Sequence, residues 1–267
     1  MSGFSISWLD LREPADVKAR AKPLAVEALN WLESKGSGCD SILLDLGSGT
    51  GSSLRALSAL GARNIVWRLV DNDGDLLNEA LKRHAKNALI EAYQADLTLV
   101  DELPFGGARL ITASALFDLA SREFVDSLVE RLSRQRTAIY AALNYDGTTE
   151  WTPPHPLDTA VLNAFNQDQR RDKGFGNALG PDASNYLKQV LEVEGYTVAM
   201  ATSPWQLDAK DHALVGELIQ GIASAVRHEY GLNPKELAEW QAFRLAHANQ
   251  GSCRVGHMDL LALPPTR

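Results

Sequence analysis

Apolar positions follow two different spacings along the first half of the chain. Residues 14–35 carry apolar side chains at helical spacing around Pro23, which predicts two short helices because proline cannot donate a helical hydrogen bond. Short apolar runs after this region predict buried parallel strands, and helical spacing separates them. The predicted strands are 41–46, 65–70, 90–94, 109–113 and 137–143, and the predicted helices are 54–60, 73–88 and 122–133. This alternation predicts an α/β fold with right-handed crossovers.

The regular spacing stops after the fifth predicted strand. Residues 144–183 are rich in glycine, proline, asparagine and aspartate, and they are too many for an ordinary connection. We predict that 144–181 forms a lid or a binding loop. The alternative is a fixed excursion that packs Trp151, Phe165 and Phe175 into the core.

Regular spacing returns in the last third of the chain. The predicted elements are helices 183–194, 213–229 and 234–248 and strands 197–201 and 255–263. The two helices before the last strand are expected to cover the carboxyl edge of the sheet, where ligands of open α/β folds bind.

Length and composition limit the classes of protein that fit this pattern. The 267 residues are close to the upper limit for one core, which predicts a single domain over 1–267. The formal net charge of −8 disfavours binding to nucleic acid. Cys39 and Cys253 are far apart and form no metal-binding pattern, so we expect no metal site and a reducing cytoplasm. The sequence shows no export leader and no run of about 20 apolar residues, so no membrane insertion is expected; it leaves the oligomeric state open.

The strongest chemical signal is a glycine-rich segment, LLDLGSGTG over 43–51. Glycines at this point allow backbone with φ > 0 and let a ligand lie against the main chain. A dinucleotide fingerprint requires G-x-G-x-x-G, and a P-loop requires four residues between glycines followed by lysine. Both phosphate-binding interpretations are therefore disfavoured.

The G-x-G-x-G spacing, with Asp45 two positions before the first glycine, resembles motif I of the class I S-adenosylmethionine-dependent methyltransferases. The resemblance implies S-adenosyl-L-methionine as cofactor, bound along Gly47, Ser48, Gly49 and Gly51. It also implies a Rossmann-like, doubly wound and mostly parallel sheet of seven strands whose last strand is antiparallel.

Acidic residues follow the next two predicted strands. Asp71 lies 20 residues past Gly51, the spacing at which a carboxylate accepts both hydrogen bonds of a ribose diol. Asp73 competes for this role but is expected to cap the following helix. By the resemblance, Asn72 accompanies Asp71 in the cofactor site, and the methyltransferase motif that contacts the adenine falls on Asp96 and Leu97, with Ser114 after the fourth strand.

These assignments divide the domain into three parts. They are an N-terminal helical cap at 1–40, a cofactor-binding half at 41–143 and an acceptor-binding half at 144–267. The segments 8–14 and 173–181 also resemble signatures of a bacterial branch of the superfamily, which supplies no substrate.

The acceptor is less well defined. The N/D-P-P-Y motif of enzymes that methylate planar nitrogens is absent after the fourth strand, which favours a small-molecule acceptor with an O, N or C nucleophile. Methyl transfer depends on positioning and at most one base. The candidate bases are His155, Asp118 and Tyr145.

Two groups of positively charged residues are candidates for binding an anionic group. Arg12 and Arg20 lie on the segment that often covers the cofactor in this superfamily, where a guanidinium can pair with the methionine carboxylate. Arg170, Arg171 and Lys173 form a basic cluster that could hold an acidic substrate, although we expect a solvated face.

Two other functions fit less well. A nicotinamide-dependent oxidoreductase is disfavoured by the glycine spacing, and a non-catalytic module that binds S-adenosylmethionine or another nucleoside is left open by fold-level reasoning.

Overall fold

A computed structural model describes residues 4–34, 41–227 and 231–265. Nine helices lie within these ranges: α1 (Ile6–Ala19), α2 (Lys22–Ser34), α3 (Ser52–Ala59), α4 (Gly74–His84), α5 (Arg122–Gln135), α6 (Asp158–Asp168), α7 (Ala183–Val193), α8 (His212–Ala225) and α9 (Pro234–His247). The eight strands in the same ranges are β1 (Ser41–Leu46), β2 (Ile65–Asp71), β3 (Leu89–Gln94), β4 (Ala108–Ser114), β5 (Ala138–Thr152), β6 (Thr197–Thr202), β7 (Trp205–Leu207) and β8 (Ser252–Leu263).

The strands form one sheet in the order β3-β2-β1-β4-β5-β8-β6, and β7 pairs with β8 beside this path. The first five strands are parallel, and β8 is antiparallel to each of its neighbours β5, β6 and β7. The predicted fold class, with its antiparallel last strand, is confirmed. The three-residue strand β7 was not predicted. A strand this short is too brief to show an alternation of apolar and polar residues.

Helices cover both faces of the sheet and create two cores. On one face α2, α3 and α4 pack against the strands, and on the other face α5 and α7 do so. Because β5 and β8 continue past the other strands, α6, α8 and α9 pack on their extension and form a third core. Its buried members include Tyr145, Val161, Trp205, Ile219 and Trp240.

Several predicted boundaries differ from the structure. The first helix begins at Ile6 rather than at residue 14, because Ser5 accepts a hydrogen bond from the backbone N–H of Trp8 and caps it. The fifth strand was predicted to end at 143, but β5 continues to Thr152. Helix α8 ends at Ala225, and the predicted helix end at Glu229 and the thiol of Cys39 lie outside the described residues.

The extension of β5 passes through an irregular point at Leu143. The pairing register with β8 shifts between Ala141 and Asn144, and Leu143 has a φ of +57°. The backbone N–H of Leu143 donates to Oδ1 of the buried Asp259, at 2.8 Å. A bulge of this kind is not encoded in the alternation of apolar residues, which is why the sequence pattern lapsed here.

The predicted lid segment contains regular structure. Its first nine residues belong to β5, and α6 follows. Trp151 packs edge-on against Trp240, and Phe175 against Phe124 with ring centroids 5.0 Å apart. The segment is therefore not a structureless connection, and whether part of it moves stays a prediction.

Over the described ranges, no helix combines the length and the apolar character needed to cross a membrane. The same residues include no group of three or more His, Cys, Asp or Glu side chains placed to hold a metal ion.

Candidate active site

The glycine loop leaves β1 at Leu46 and enters α3. Gly47, Gly49 and Gly51 have φ angles of +63°, +53° and +85°, which confirms the predicted need for glycine. A Cβ atom added at Gly49 would lie 3.2 Å from Cδ1 of Leu9, so α1 lies directly over the loop. Gly51 precedes α3 and faces the His84 ring instead. The backbone of Gly47 and Gly49 therefore faces the space between the loop and α1 without a side chain of its own.

A cavity of about 490 Å³ opens between this loop and the carboxyl ends of β1 to β4. Its volume lies within the range of small-molecule sites. Both α1 and the segment around residue 174 contribute to its wall. The predicted cofactor residues in its lining are Gly47, Gly49, Asp71, Asn72, Asp96, Leu97 and Ser114.

Asp71 lines the cavity and binds the backbone of the glycine loop. Its Oδ2 accepts from the backbone N–H of Gly49 at 2.8 Å, and its Oδ1 from that of Asp73 at 3.0 Å. Burial raises the pKa of Asp71, and these two donors oppose the rise. Each carboxylate oxygen can accept a second hydrogen bond, so Asp71 can hold the loop and still receive a ligand hydroxyl.

Asp73 has the structural role that the sequence predicted. Its Oδ1 accepts from the backbone N–H groups of Asp75 and Leu76 and caps α4. Asp73 is not among the residues that line the cavity.

Asp96 lies at the rim of the cavity. Its Oδ1 accepts from both the backbone N–H and the hydroxyl of Thr98, at 2.9 and 2.7 Å, and these bonds lower the pKa of Asp96. Gln94 also lines the cavity and was missed by the sequence analysis. Its position was readable, because it ends β3 directly beside Asp71 in the strand register.

Four predicted cofactor residues do not line the cavity: Gly51 faces His84, and Asp45, Ser48 and Arg20 lie behind the cavity wall. Asp45 is buried beneath the loop, where its Oδ1 accepts from the Thr112 hydroxyl at 2.7 Å and burial raises its pKa to about 6. Arg20 is buried and donates from Nη2 to Oγ of Ser114 at 3.1 Å. Arg20 Nε and Ser48 Oγ have no hydrogen-bond partner among the described residues, and the Ser53 side chain is the second hydroxyl, beside Thr112, that opposes the rise in the pKa of Asp45. Buried polar atoms without partners are costly, so their concentration here indicates a binding site.

The three candidate bases occupy different surroundings. Asp118 lies in the turn between Leu116 and Leu119, which line the cavity, but is itself buried behind the lining; burial raises its pKa to about 6, and Oδ1 has no partner among the described residues. Tyr145 donates its hydroxyl to Oδ1 of Asn166 at 2.9 Å. His155 accepts at Nδ1 from a backbone N–H and packs on a phenylalanine of α9. Tyr145 and His155 are not brought to the cavity.

His257 on β8 is a buried histidine beside Tyr145 and is absent from the cavity lining. Its ring packs between Tyr145 and Trp205, with centroids 6.4 and 5.1 Å away. Burial lowers the pKa of His257 to about 3, so the ring is neutral. Nothing in the local pattern singles out a histidine within an apolar strand.

No protein-family model matches the chain, and neither does any curated protein. Among solved structures, a candidate methyltransferase from Bacillus halodurans C-125 matches with a TM-score of 0.50 and 17% identity, over 89% of this chain and 99% of the other. A cyclopropane-fatty-acyl-phospholipid synthase-like protein from Lactobacillus casei ATCC 334 matches with a TM-score of 0.50 and 11% identity, over 94% and 99%. The chain thus has the Rossmann-like fold of the class I methyltransferases.

Proposed function

We propose that this protein is an S-adenosylmethionine-dependent methyltransferase that acts on a small molecule. The observation that carries the proposal is Asp71, which ends β2, binds the backbone of Gly49 and faces the same cavity as the loop. This arrangement suits a ligand that presents a ribose diol beside a bare glycine backbone.

The remaining lining residues fit the other parts of the cofactor. In this proposal Asp96 and Leu97, which line the cavity, contact the adenine. The methionine end would lie along Gly47 towards Ser114. Behind this part of the wall, the buried positive charge of Arg20 suits a carboxylate in the cavity, and the buried carboxyl group of Asp45 suits an ammonium group.

When bound, S-adenosylmethionine supplies a methyl group on a positively charged sulfur, which an acceptor displaces in line. The protein contributes positioning and the exclusion of water, since α1 and the segment around residue 174 cover the cavity. We propose Asp118 as the group that takes the acceptor's proton. With a pKa of about 6 it is ionised at neutral pH, whereas the Tyr145 hydroxyl is engaged by Asn166.

A thermal melt with separate cofactors tests the proposal. A ligand at 100 times its Kd stabilises a protein by about 2.7 kcal/mol. For a domain of this size that raises Tm by roughly 5–11 °C. We expect S-adenosylhomocysteine to produce such a shift and NAD and NADP to produce none. A shift with a nicotinamide cofactor alone would favour the oxidoreductase instead.

A further inference from the structure

The charged residues in the cavity wall separate into two groups. Asp71 and Asp96 lie at the end assigned to adenosine, whereas Arg12 and Lys173 lie on the two covering segments. Provided that the proposed function holds, the first group is used by the cofactor and the second remains. We propose that the acceptor is an apolar molecule with a carboxylate or phosphate group, and that Arg12 and Lys173 bind this group.

Arg12 is held in one orientation. Its Nε and Nη2 donate to the two carboxylate oxygens of Asp16, at 2.9 and 3.2 Å. Asp16 in turn accepts from Nε1 of Trp205 at 2.9 Å, and the guanidinium lies 5.1 Å from the centre of the Trp205 ring. Nη1 donates to none of the residues described. A guanidinium fixed in this way presents its free edge to a ligand with little loss of side-chain entropy.

Lys173 lies on a tight hairpin at residues 172–177. Oδ1 of Asp172 accepts from the backbone N–H groups of Gly174 and Gly176, at 2.7 and 3.1 Å, which closes the turn. Lys173 Nζ donates to Oδ2 of Asp168 at 2.6 Å, and an ammonium group has two more donors. The hairpin therefore holds a cation at the cavity wall.

The other members of the basic cluster are placed differently. Arg170 pairs with Asp182 on an exposed surface, and Arg171 is also exposed. For these two residues the predicted solvated face agrees with the structure. Lys173 departs from that prediction because the hairpin turns it towards the cavity.

The wall beside these cations is apolar. Phe175, Leu116 and Leu119 line the cavity, and Phe175 is supported by an edge-on contact with Phe124. An anionic group near this end would also be attracted to the positive sulfur of the cofactor. At the end of the cavity assigned to the methionine carboxylate, Ser114 lines the wall and Arg20 binds Ser114 from behind, which leaves Arg12 for the acceptor.

The test measures the binding of simple acids to protein saturated with S-adenosylhomocysteine. Calorimetry with benzoate, phenyl phosphate and neutral benzamide separates the anionic group from the ring, and the two acids distinguish carboxylate from phosphate. We expect at least one acid to bind about tenfold or more tightly than benzamide, as a charge-assisted hydrogen bond predicts. Arg12→Gln and Lys173→Gln should each lower the affinity of the protein for that acid.

The control is Arg134→Gln, which removes an exposed cation of α5 and should leave every affinity unchanged. Arg12→Lys serves if the glutamine variant fails to fold, because it keeps the charge and loses the planar fork. Under our proposal, both Arg12 variants bind S-adenosylhomocysteine within about threefold of wild type and lose affinity for the acid.

Three results would overturn the inference while the cofactor proposal stands. The first is that benzamide binds as tightly as the acids. The second is that neither acid binds at 10 mM, a concentration that corresponds to a binding free energy of roughly 2.7 kcal/mol. The third is that an Arg12 variant binds S-adenosylhomocysteine more weakly while its affinity for the acid is unchanged. The last result would assign Arg12 to the methionine carboxylate. Failure of wild-type protein to bind S-adenosylhomocysteine would instead refute the proposed function and, with it, the assignment of the acceptor end.

Discussion

Replacing Asp71 by alanine tests the central contact of the site. The side chain accepts two backbone hydrogen bonds in the unliganded protein and is proposed to accept from the ribose as well. Loss of the charged acceptor for a ribose hydroxyl should cost about 1.5–3 kcal/mol of binding free energy. The affinity for S-adenosylhomocysteine should therefore fall about 10–150-fold.

The same change also affects the free protein, so affinity and stability must be measured separately. Asp71→Ala leaves the N–H groups of Gly49 and Asp73 without their acceptor, which lowers stability. Removal of a buried carboxylate whose pKa is raised offsets part of this loss. The free energy of unfolding from urea titration gives the stability term, and calorimetry of the folded protein gives the affinity.

Asp73→Ala is the matched control. It removes an aspartate two positions away that caps α4. Loss of a cap costs about 0.5–2 kcal/mol of stability, and we expect the affinity for S-adenosylhomocysteine to change by less than about twofold, or 0.4 kcal/mol. Equal losses of affinity in the two variants, or no loss in Asp71→Ala, would refute the assignment of the ribose to Asp71.

Three further predictions concern the loop, the buried carboxylate and the hairpin. Gly49→Val should abolish binding of S-adenosylhomocysteine in calorimetry, because the added Cβ meets Leu9. The control is Gly61→Val, at a φ of +100° with open space around it, which should lower only stability. Unchanged affinity in Gly49→Val would contradict this prediction. Burial raises the pKa of Asp45 to about 6, and its ionised carboxylate behind the cavity wall should attract the ligand's ammonium group, so affinity should rise between pH 5 and 7. Parallel pH profiles for wild type and Asp45→Asn would count against this effect of Asp45. Amide hydrogen exchange at 172–177 should be fast in the protein alone and should become slower when S-adenosylhomocysteine and an acid are both present, while exchange in β5 stays slow throughout. Slow exchange at 172–177 without ligand would rule out a lid there.

The sheet was predictable because its strands are short apolar runs between clear stop signals. Residues 41–46 and 65–70 match β1 and β2 to within one residue. The second half of β5 was not predictable, since its pairing with β8 depends on a bulge at Leu143 and on Asp259, more than 100 residues away. Pairing at that separation leaves no local pattern.

The cofactor half of the candidate site was predictable for a related reason. Its residues follow strand ends: Asp71 could be placed from its spacing to Gly51, and Asp96 from the family resemblance and its position after the third strand. The acceptor half depends on which side chains α1 and the 172–177 hairpin bring against the sheet. The sequence does not show which cation of the basic cluster faces the cavity. In the structure Lys173 lines the cavity, while Arg170 pairs with Asp182 outside it.

The position of β8 has a consequence for how the chain folds. This strand follows the other seven along the chain, yet it lies inside the sheet and supplies the pairing partner of both β6 and β7. Until residues 252–263 emerge from the ribosome, β5 has an open edge and β6 has no neighbour to bind. Strand pairings that are distant along the chain form slowly, and open edges promote association between nascent chains. We therefore expect the sheet to close only when residues 252–263 join it, with its first five strands already assembled.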